Sequence, residues 1–284
     1  MISQDPSSTK TGVLLSGGLD SSILAAHLVD RGFVVYPFYI RCNLVWEPFE
    51  LASAARFLEA IRSPRLRELV VLEMPVDDLY RDHWSVTGRN TPAANSADEA
   101  VYLPGRNTLL VVKAAIWCQL HGIQRLALAP LGTSPFADAS GEFFASFQAA
   151  LNKGDGPPLE IECPFAELDK KQVMELGRKH PLEFSFSCIS PIDTLHCGRC
   201  NKCAERQAAF RKVGLPDPTV YVRQLAETEG SKSETPFRTQ NDINRNNSYQ
   251  TGRQCPVKTD FASRTICPTG GATGKTVRPA DQIE

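Results

Sequence analysis

No stretch of the 284 residues comes near the roughly 18 consecutive apolar residues that a membrane-spanning helix needs. The opening MISQDPSSTKTG has neither the basic start nor the apolar run of a secretory signal. A cytoplasmic protein with no membrane partner is therefore expected. An excess of one charge sign is missing as well: 31 Lys and Arg stand against 32 Asp and Glu, a net charge of −1. No global field draws this chain to nucleic acid or to an anionic surface, and nucleic acid is not an expected partner. No internal repeat is visible. What is present is ordinary for a soluble globular chain, with 42% apolar and 22% charged residues, and its length suits one large domain or one domain with an appendage. Cysteine is the exception. Nine is an odd count, and four of the nine crowd into Cys188 to Cys203, which in a reducing compartment points to metal rather than disulfides.

Apolar runs and helix-like stretches alternate from residue 11 to about 175. TGVLLS, VVYPFYIR, ELVVLEMPV, RLALAPL and EIECPF read as strands; SSILAAHLVDRG, FELASAARFLEAIRS, NTLLVVKAAIWCQLHG, GEFFASFQAALNKG and KKQVMELGRK read as helices. Strands with apolar neighbours along the chain need cover on both faces. The alternation predicts an α/β fold, an open parallel sheet with helices on both faces, and its right-handed crossovers bring every strand-to-helix loop to one edge. Residues 1–175 form this unit. Residues 176–223 are a cysteine-rich loop and the helical KCAERQAAFRKVG, a small helical C-terminal subdomain, and 224–284, dense in Ser, Thr, Asn and Gln without apolar period, are expected to be a disordered tail.

The sharpest signal is VLLSGGLDSSIL at 13–24. A strand that stops on Ser16-Gly17-Gly18 at the sheet edge lets the backbone turn tightly and come close to a ligand. The amides of that turn and of the next helix point at an anion, and Ser16, Ser21 and Ser22 add hydroxyls without bulk. Asp20 fits a phosphate cradle if it holds Mg2+ or caps backbone N–H groups. S-G-G-x-D-S at a first βα turn resembles the pyrophosphate loop of ATP pyrophosphatases, with Ser16, Gly17, Gly18, Leu19, Asp20, Ser21 and Ser22 on ATP. The tail's GGATGKT at 270–276 has Thr269 where a terminal-phosphate loop needs glycine, and is set aside.

Cys188, Cys197, Cys200 and Cys203 follow C-x8-C-x2-C-x2-C. Three thiolates can converge from one turn entering a helix, with Gly198 permitting the turn, while a loop brings the fourth. Such an S4 set suits Zn2+, and an iron–sulfur cluster also accepts four thiolates. Four thiolates close the coordination shell, which makes the metal structural. His196 is a weaker donor candidate than its neighbour Cys197. In YLPGRN, Pro104-Gly105 makes a turn, Asn107 can cap the next helix, and Arg106 is thrown toward the phosphate edge, where it could grip a carboxylate or phosphate.

SGGLDS, PGRN and HCGRCNKC, in this order over residues 11–215, resemble the 7-cyano-7-deazaguanine synthase family of the pyrophosphate-loop ATPase superfamily. The resemblance implies an adenine nucleotide alpha hydrolase-like sheet and one structural zinc on the four cysteines. It implies an ATP-dependent carbon–nitrogen ligase of queuosine precursor biosynthesis, which converts a deazapurine acid and ammonia to a nitrile through adenylated intermediates and forms a homodimer. LDKKQVMELG is similar to a family segment whose lysine matches Lys170, which could reach the nucleotide phosphates; Asp20, Arg106 and Lys170 are the expected catalytic groups. His83 and His121 need no catalytic role. Where the family has D-x-S-G-Y-P-D-C-R, this chain reads APLGTSPFADASGEFFASF, and only Asp138, Ser140 and Gly141 echo it. A relative that adenylates another acid, a tRNA base or a protein terminus therefore stays open. So does a scaffold touching RNA through the basic RCNKCAERQAAFRK, although Phe210 is its only aromatic for stacking.

Overall fold

A computed structural model describes residues 9–223, so the tail expected from residue 224 lies outside the described residues. Each anticipated strand forms: β1 (Lys10–Leu14), β2 (Val34–Arg41), β3 (Val70–Glu73), β4 (Arg125–Ala127) and β5 (Glu160–Glu162). They make one parallel sheet in the order β3-β2-β1-β4-β5. β1 is central, pairing Gly12 with Tyr36 on one side and with Leu126 on the other. The order therefore runs outward in both directions from β1. In an open α/β sheet that reversal leaves a crevice at the carboxyl ends of the strands, and here it falls between β1 and β4.

The helices are α1 (Leu19–Asp30), α2 (Glu47–Ala60), the single turns α3 (Asp77–Tyr80) and α4 (Trp84–Thr87), α5 (Arg106–Leu120), α6 (Gly141–Leu151), α7 (Lys170–Gly177) and α8 (Asn201–Lys212). Strand residues alternate between two apolar layers, as the pleat requires. Val13, Val35 and Ala127 pack with Ile23, Phe57, Met174 and Phe210 of α1, α2, α7 and α8. Phe38 and Leu126 pack with Val111 and Ala115 of α5, Phe144 of α6, and the four clustered cysteines. The two-faced sheet expected from the consecutive apolar residues is what forms.

Residues 74–105 carry no long apolar period and were not resolved into elements by the sequence pattern. They form α3, α4 and a short 3-10 turn, held by a stack of Trp84 on Trp46 at 5.6 Å. This excursion runs beside the cysteine-rich segment: Ala94 N donates to Arg199 O at 2.9 Å, Asn201 N to Pro92 O at 3.0 Å, and Asn201 Nδ2 to Ser96 O at 3.0 Å.

Arg206 of α8 is only 1% exposed, and its guanidinium gathers the loops on either side. It donates to Leu182 O (3.1 Å), Ser185 Oγ (2.9 Å) and Thr219 Oγ1 (2.6 Å), and lies 5.2 Å over the Phe210 ring. Arg206→Met keeps the apolar stem but removes these charge-assisted bonds from a buried site, which should lower unfolding free energy by about 3 kcal/mol. Urea denaturation followed by circular dichroism measures it; a loss below about 0.5 kcal/mol, the size of an ordinary surface substitution, would show that the guanidinium does not organise this region.

Candidate active site at the switch point

The β1 ladder ends as Leu15 N donates to Phe38 O at 2.8 Å. The chain then turns through Ser16, Gly17 and Gly18 into α1. Gly17 has φ +74°, and a Cβ there would stand 2.7 Å from the backbone oxygen of Glu50, so the left-handed backbone and the approach of α2 both demand glycine. Gly18 is the N-cap of α1 and carries no side chain to cap it. The first-turn amides of Leu19, Asp20 and Ser21 accordingly have no intrahelical acceptor, and the positive end of the helix dipole lies with them. Ser16 N donates to Ser21 Oγ at 3.1 Å, and the two hydroxyls are 3.0 Å apart, which ties the turn to the helix. These features fit a bound phosphate: free amides, small hydroxyls, and a backbone that a side chain would obstruct.

Asp20 is not the helix cap that its place in Asp-Ser-Ser allowed. It lies in the first turn and accepts two hydrogen bonds from Lys170 Nζ, at 2.7 and 2.9 Å. Lys170 opens α7 behind an Asp169–Gln172 capping box and also pairs with Glu205 of α8 at 3.2 Å. Glu205 is held in turn by Lys202 at 2.6 Å. Burial works against the Lys170 ammonium, but the Asp20 and Glu205 carboxylates outweigh it and raise its pKa. Burial likewise disfavours the Glu205 carboxylate, and Lys202 and Lys170 overcome that and draw it down to about 2.

A cavity of about 300 Å3 opens at this edge, lined by Ser16, Asp20 and Ser21 of the phosphate turn and by Arg106 and Asn107 of α5. Phe136 and Asp138, from the loop before α6, close it. Arg106 thus reaches the edge that its turn predicted, and its Nε is buried without a partner. Asn107 does not cap α5. Gly105, with φ +73°, is the N-cap, and Asn107 Nδ2 instead donates to Asp138 O at 3.1 Å, fastening the Asp138 loop to α5. Leu19 and Ser22 belong to the buried side of α1 rather than to the cavity wall; Ser22 Oγ has no partner there.

Two cavity residues escaped the sequence reading. Glu50 of α2 lines the cavity, and Tyr39 Oη donates to its Oε2 at 3.0 Å. Burial pushes Glu50 up to about 8, against the opposing pull of Arg106 and the Tyr39 hydrogen bond. Its neighbour Glu47, one turn earlier, accepts from the amides of Cys42 (2.7 Å) and Asn43 (2.9 Å). A pair of glutamates on the apolar side of a helix was the available signal.

The four cysteines meet as their spacing implied. All are buried, and their sulfurs lie within 4.8 Å of one another, with Cys188–Cys200 and Cys197–Cys203 at 3.9 Å. Sulfur–metal bonds of about 2.3 Å in a tetrahedron place sulfurs about 3.8 Å apart, so the set fits a Zn2+ ion. Backbone N–H groups of Cys197 (3.3 Å) and Ser190 (3.4 Å) point at Cys188 Sγ, and that of Arg199 (3.4 Å) at Cys197 Sγ, as expected for thiolates needing charge support. Gly198 makes the turn at φ +75°. His196 stands outside this set: its Nε2 accepts from Ser187 N at 3.1 Å and its ring lies 4.4 Å from that of Phe186. Burial and the Arg206 charge hold His196 down at about 3. His83 caps α4 through Ser85 N, and His121 stacks on Trp117 at 3.5 Å, so both have structural work.

The family model described as "Queuosine biosynthesis protein QueC" matches residues 10–214. The 7-cyano-7-deazaguanine synthase of Methanopyrus kandleri is 34% identical over 235 residues, covering 75% of this chain and 98% of its own. That of Syntrophobacter fumaroxidans is 30% identical over 235 residues, covering 75% and 97%. That of Leptospira biflexa is 29% identical over 232 residues, covering 73% and 92%.

Glu50 gives a pH test of the cavity wall. Its carboxyl titrates near 4.5 when unfolded and about 8 when folded. Between those values the folded chain holds the extra proton, so stability is full below the lower value and is lost as pH rises through the upper one. Glu50→Gln cannot ionise and escapes that loss. The melting temperature of the variant relative to the parent should therefore rise from pH 5 to about pH 8 and level off above that; a difference that stays flat across this range would mean that Glu50 is solvated.

Proposed function

The chain belongs to the queuosine biosynthesis protein QueC family, and from that premise we propose that it is an ATP-dependent ligase converting 7-carboxy-7-deazaguanine and ammonia to 7-cyano-7-deazaguanine. The observation that carries this reading is the uncapped first turn of α1, opening on a cavity that also holds Arg106. A carboxylate resists nucleophiles because its charge and resonance shield the carbon. One acid oxygen must first attack the α-phosphorus of ATP, expelling pyrophosphate. Ammonia then adds to the acyl carbon, a proton is lost, and AMP departs with the former acid oxygen, leaving the amide. Adenylation of the amide oxygen by a second ATP, followed by loss of AMP and a proton, gives the nitrile.

The chain's contribution is position and charge. The amides and hydroxyls from Ser16 to Ser21 hold the pyrophosphate, and Arg106 steadies the acid group. Asp20 is the residue suited to hold Mg2+, which supplies charge neutralisation at the departing pyrophosphate. Lys170, which spans both Asp20 oxygens, would pass to the phosphates. On this reading residues 1–175 bind ATP, and residues 176–223 carry a structural Zn2+ on Cys188, Cys197, Cys200 and Cys203. The substrates are small, soluble molecules suited to a cytoplasmic enzyme. A second reading, adenylation of a different acceptor, is favoured by one observation: the loop around Asp138 departs from the family's D-x-S-G-Y-P-D-C-R pattern.

Purified protein given the deazaguanine acid, ammonium, ATP and Mg2+ should yield AMP and the nitrile, identified by mass. Asp20→Ala should lower kcat by about 100-fold or more. AMP release without the nitrile would reject the proposed substrate in favour of another acceptor, and no AMP from either protein would reject adenylation altogether. Elemental analysis should find one zinc per chain in the parent and none in a Cys200→Ser/Cys203→Ser variant, whose melting temperature should fall; zinc-free parent protein of unchanged stability would refute a structural metal.

A further inference from the structure

Among the described residues, three carboxylates line the cavity, and two are engaged. Asp20 accepts from Lys170 through both oxygens, and Glu50 accepts from Tyr39. Asp138 differs: its Oδ1 is buried and accepts no hydrogen bond. The contact that fixes Asp138 in place uses its backbone carbonyl, which accepts from Asn107 Nδ2, so the carboxylate is free to face a ligand. Beside it the rings of Phe136 and Tyr102, also on the cavity wall, stack 5.4 Å apart at 27°, offering flat apolar surface. A buried carboxylate oxygen without a donor is costly, which makes a ligand carrying N–H groups the natural complement.

Resting on the substrate class proposed above, we infer that Asp138 reads the N1–H and 2-amino edge of a guanine-type ring, each carboxylate oxygen accepting one N–H. Those two donors lie side by side on one edge of the ring, matched to a carboxylate as a guanidinium is. The terminal torsion of aspartate is soft enough to bring both oxygens into line. The carboxyl on C7 sits on the other side of the bicyclic ring. A ring held by Asp138 therefore turns its reacting group away from Asp138, leaving it for Arg106 and the phosphate turn. A xanthine-type ring carries a carbonyl in place of the 2-amino group and would press an oxygen against the carboxylate. Discrimination then comes from an unpaired acceptor as much as from lost attraction.

The test compares kcat/KM for 7-carboxy-7-deazaguanine and its 2-oxo counterpart, 7-carboxy-7-deazaxanthine. The parent enzyme should prefer the guanine acid by at least about 100-fold, since sites that hydrogen-bond a substrate group reject analogues lacking it strongly. Asp138→Asn offers one acceptor and one donor, the complement of the xanthine edge, and should bring the preference to unity or reverse it. Asp138→Ala, which offers neither, should discriminate by less than about 10-fold. A preference retained in both variants, in protein with the parent's circular dichroism, overturns the role of Asp138 while leaving the synthase reading intact. Failure of the parent enzyme to convert the guanine acid removes that reading and this inference with it.

Discussion

The site depends on a helix that begins without a cap. Most helices satisfy their first amides with a serine, threonine, asparagine or aspartate at the N-cap. Here Gly18 occupies that position and Asp20, the nearest side chain able to do the work, is turned instead to Lys170. The amides and the positive end of α1 remain available to an anion, at the one place along the sheet edge where the strand order reverses. Gly17 is fixed by the same arrangement, since the backbone of α2 stands where its side chain would be.

The cysteine-rich segment supports this turn directly. Phe186 N donates to Gly17 O at 2.7 Å, two residues before Cys188 begins the thiol cluster. On the other flank, Asp20, Lys170, Glu205 and Lys202 form a chain of alternating charge from α1 through α7 to α8, the helix that carries Cys203. A four-thiolate metal site would rigidify the segment that carries both contacts, and so act on the turn through geometry rather than chemistry. The alternating chain also explains how an aspartate can sit beside a turn suited to an anion: Lys170 offsets its charge.

Much of this is legible in the sequence itself. The five strands, the long helices and the four-cysteine set follow from apolar periodicity and spacing, because each depends on patterns within a short stretch of chain. Arg106 was placed at the correct edge by a Pro-Gly turn and the handedness of crossovers alone. What the sequence hid were choices between competing partners. Asp20 and Asn107 are both plausible caps, yet Asp20 pairs with a lysine 150 positions away and Asn107 binds the carbonyl of Asp138, outcomes that only tertiary contact decides. Glu50 shares the apolar side of α2 with Phe57, but its burial beside Gly17 depends on how closely α2 approaches the turn, which only tertiary contact decides. Residues 74–105 gave no long period because they fold into single turns bonded within themselves, too short to repeat an apolar spacing, and are anchored to distant chain through contacts such as Val45 N to Ser85 O and Ala94 N to Arg199 O.

If the α1 turn serves attack on the α-phosphorus, an oxygen of the substrate leaves on AMP. Acid labelled with 18O in its carboxyl group, turned over in unlabelled water with ammonium and ATP, puts that oxygen under direct view by mass spectrometry of the nucleotide product. Label should appear in the phosphate of AMP, with both carboxyl oxygens transferred by the time the nitrile forms and none found in inorganic phosphate. Unlabelled AMP, or 18O carried by inorganic phosphate, would mean that activation takes place at another phosphorus and that the turn holds the nucleotide for a different reaction.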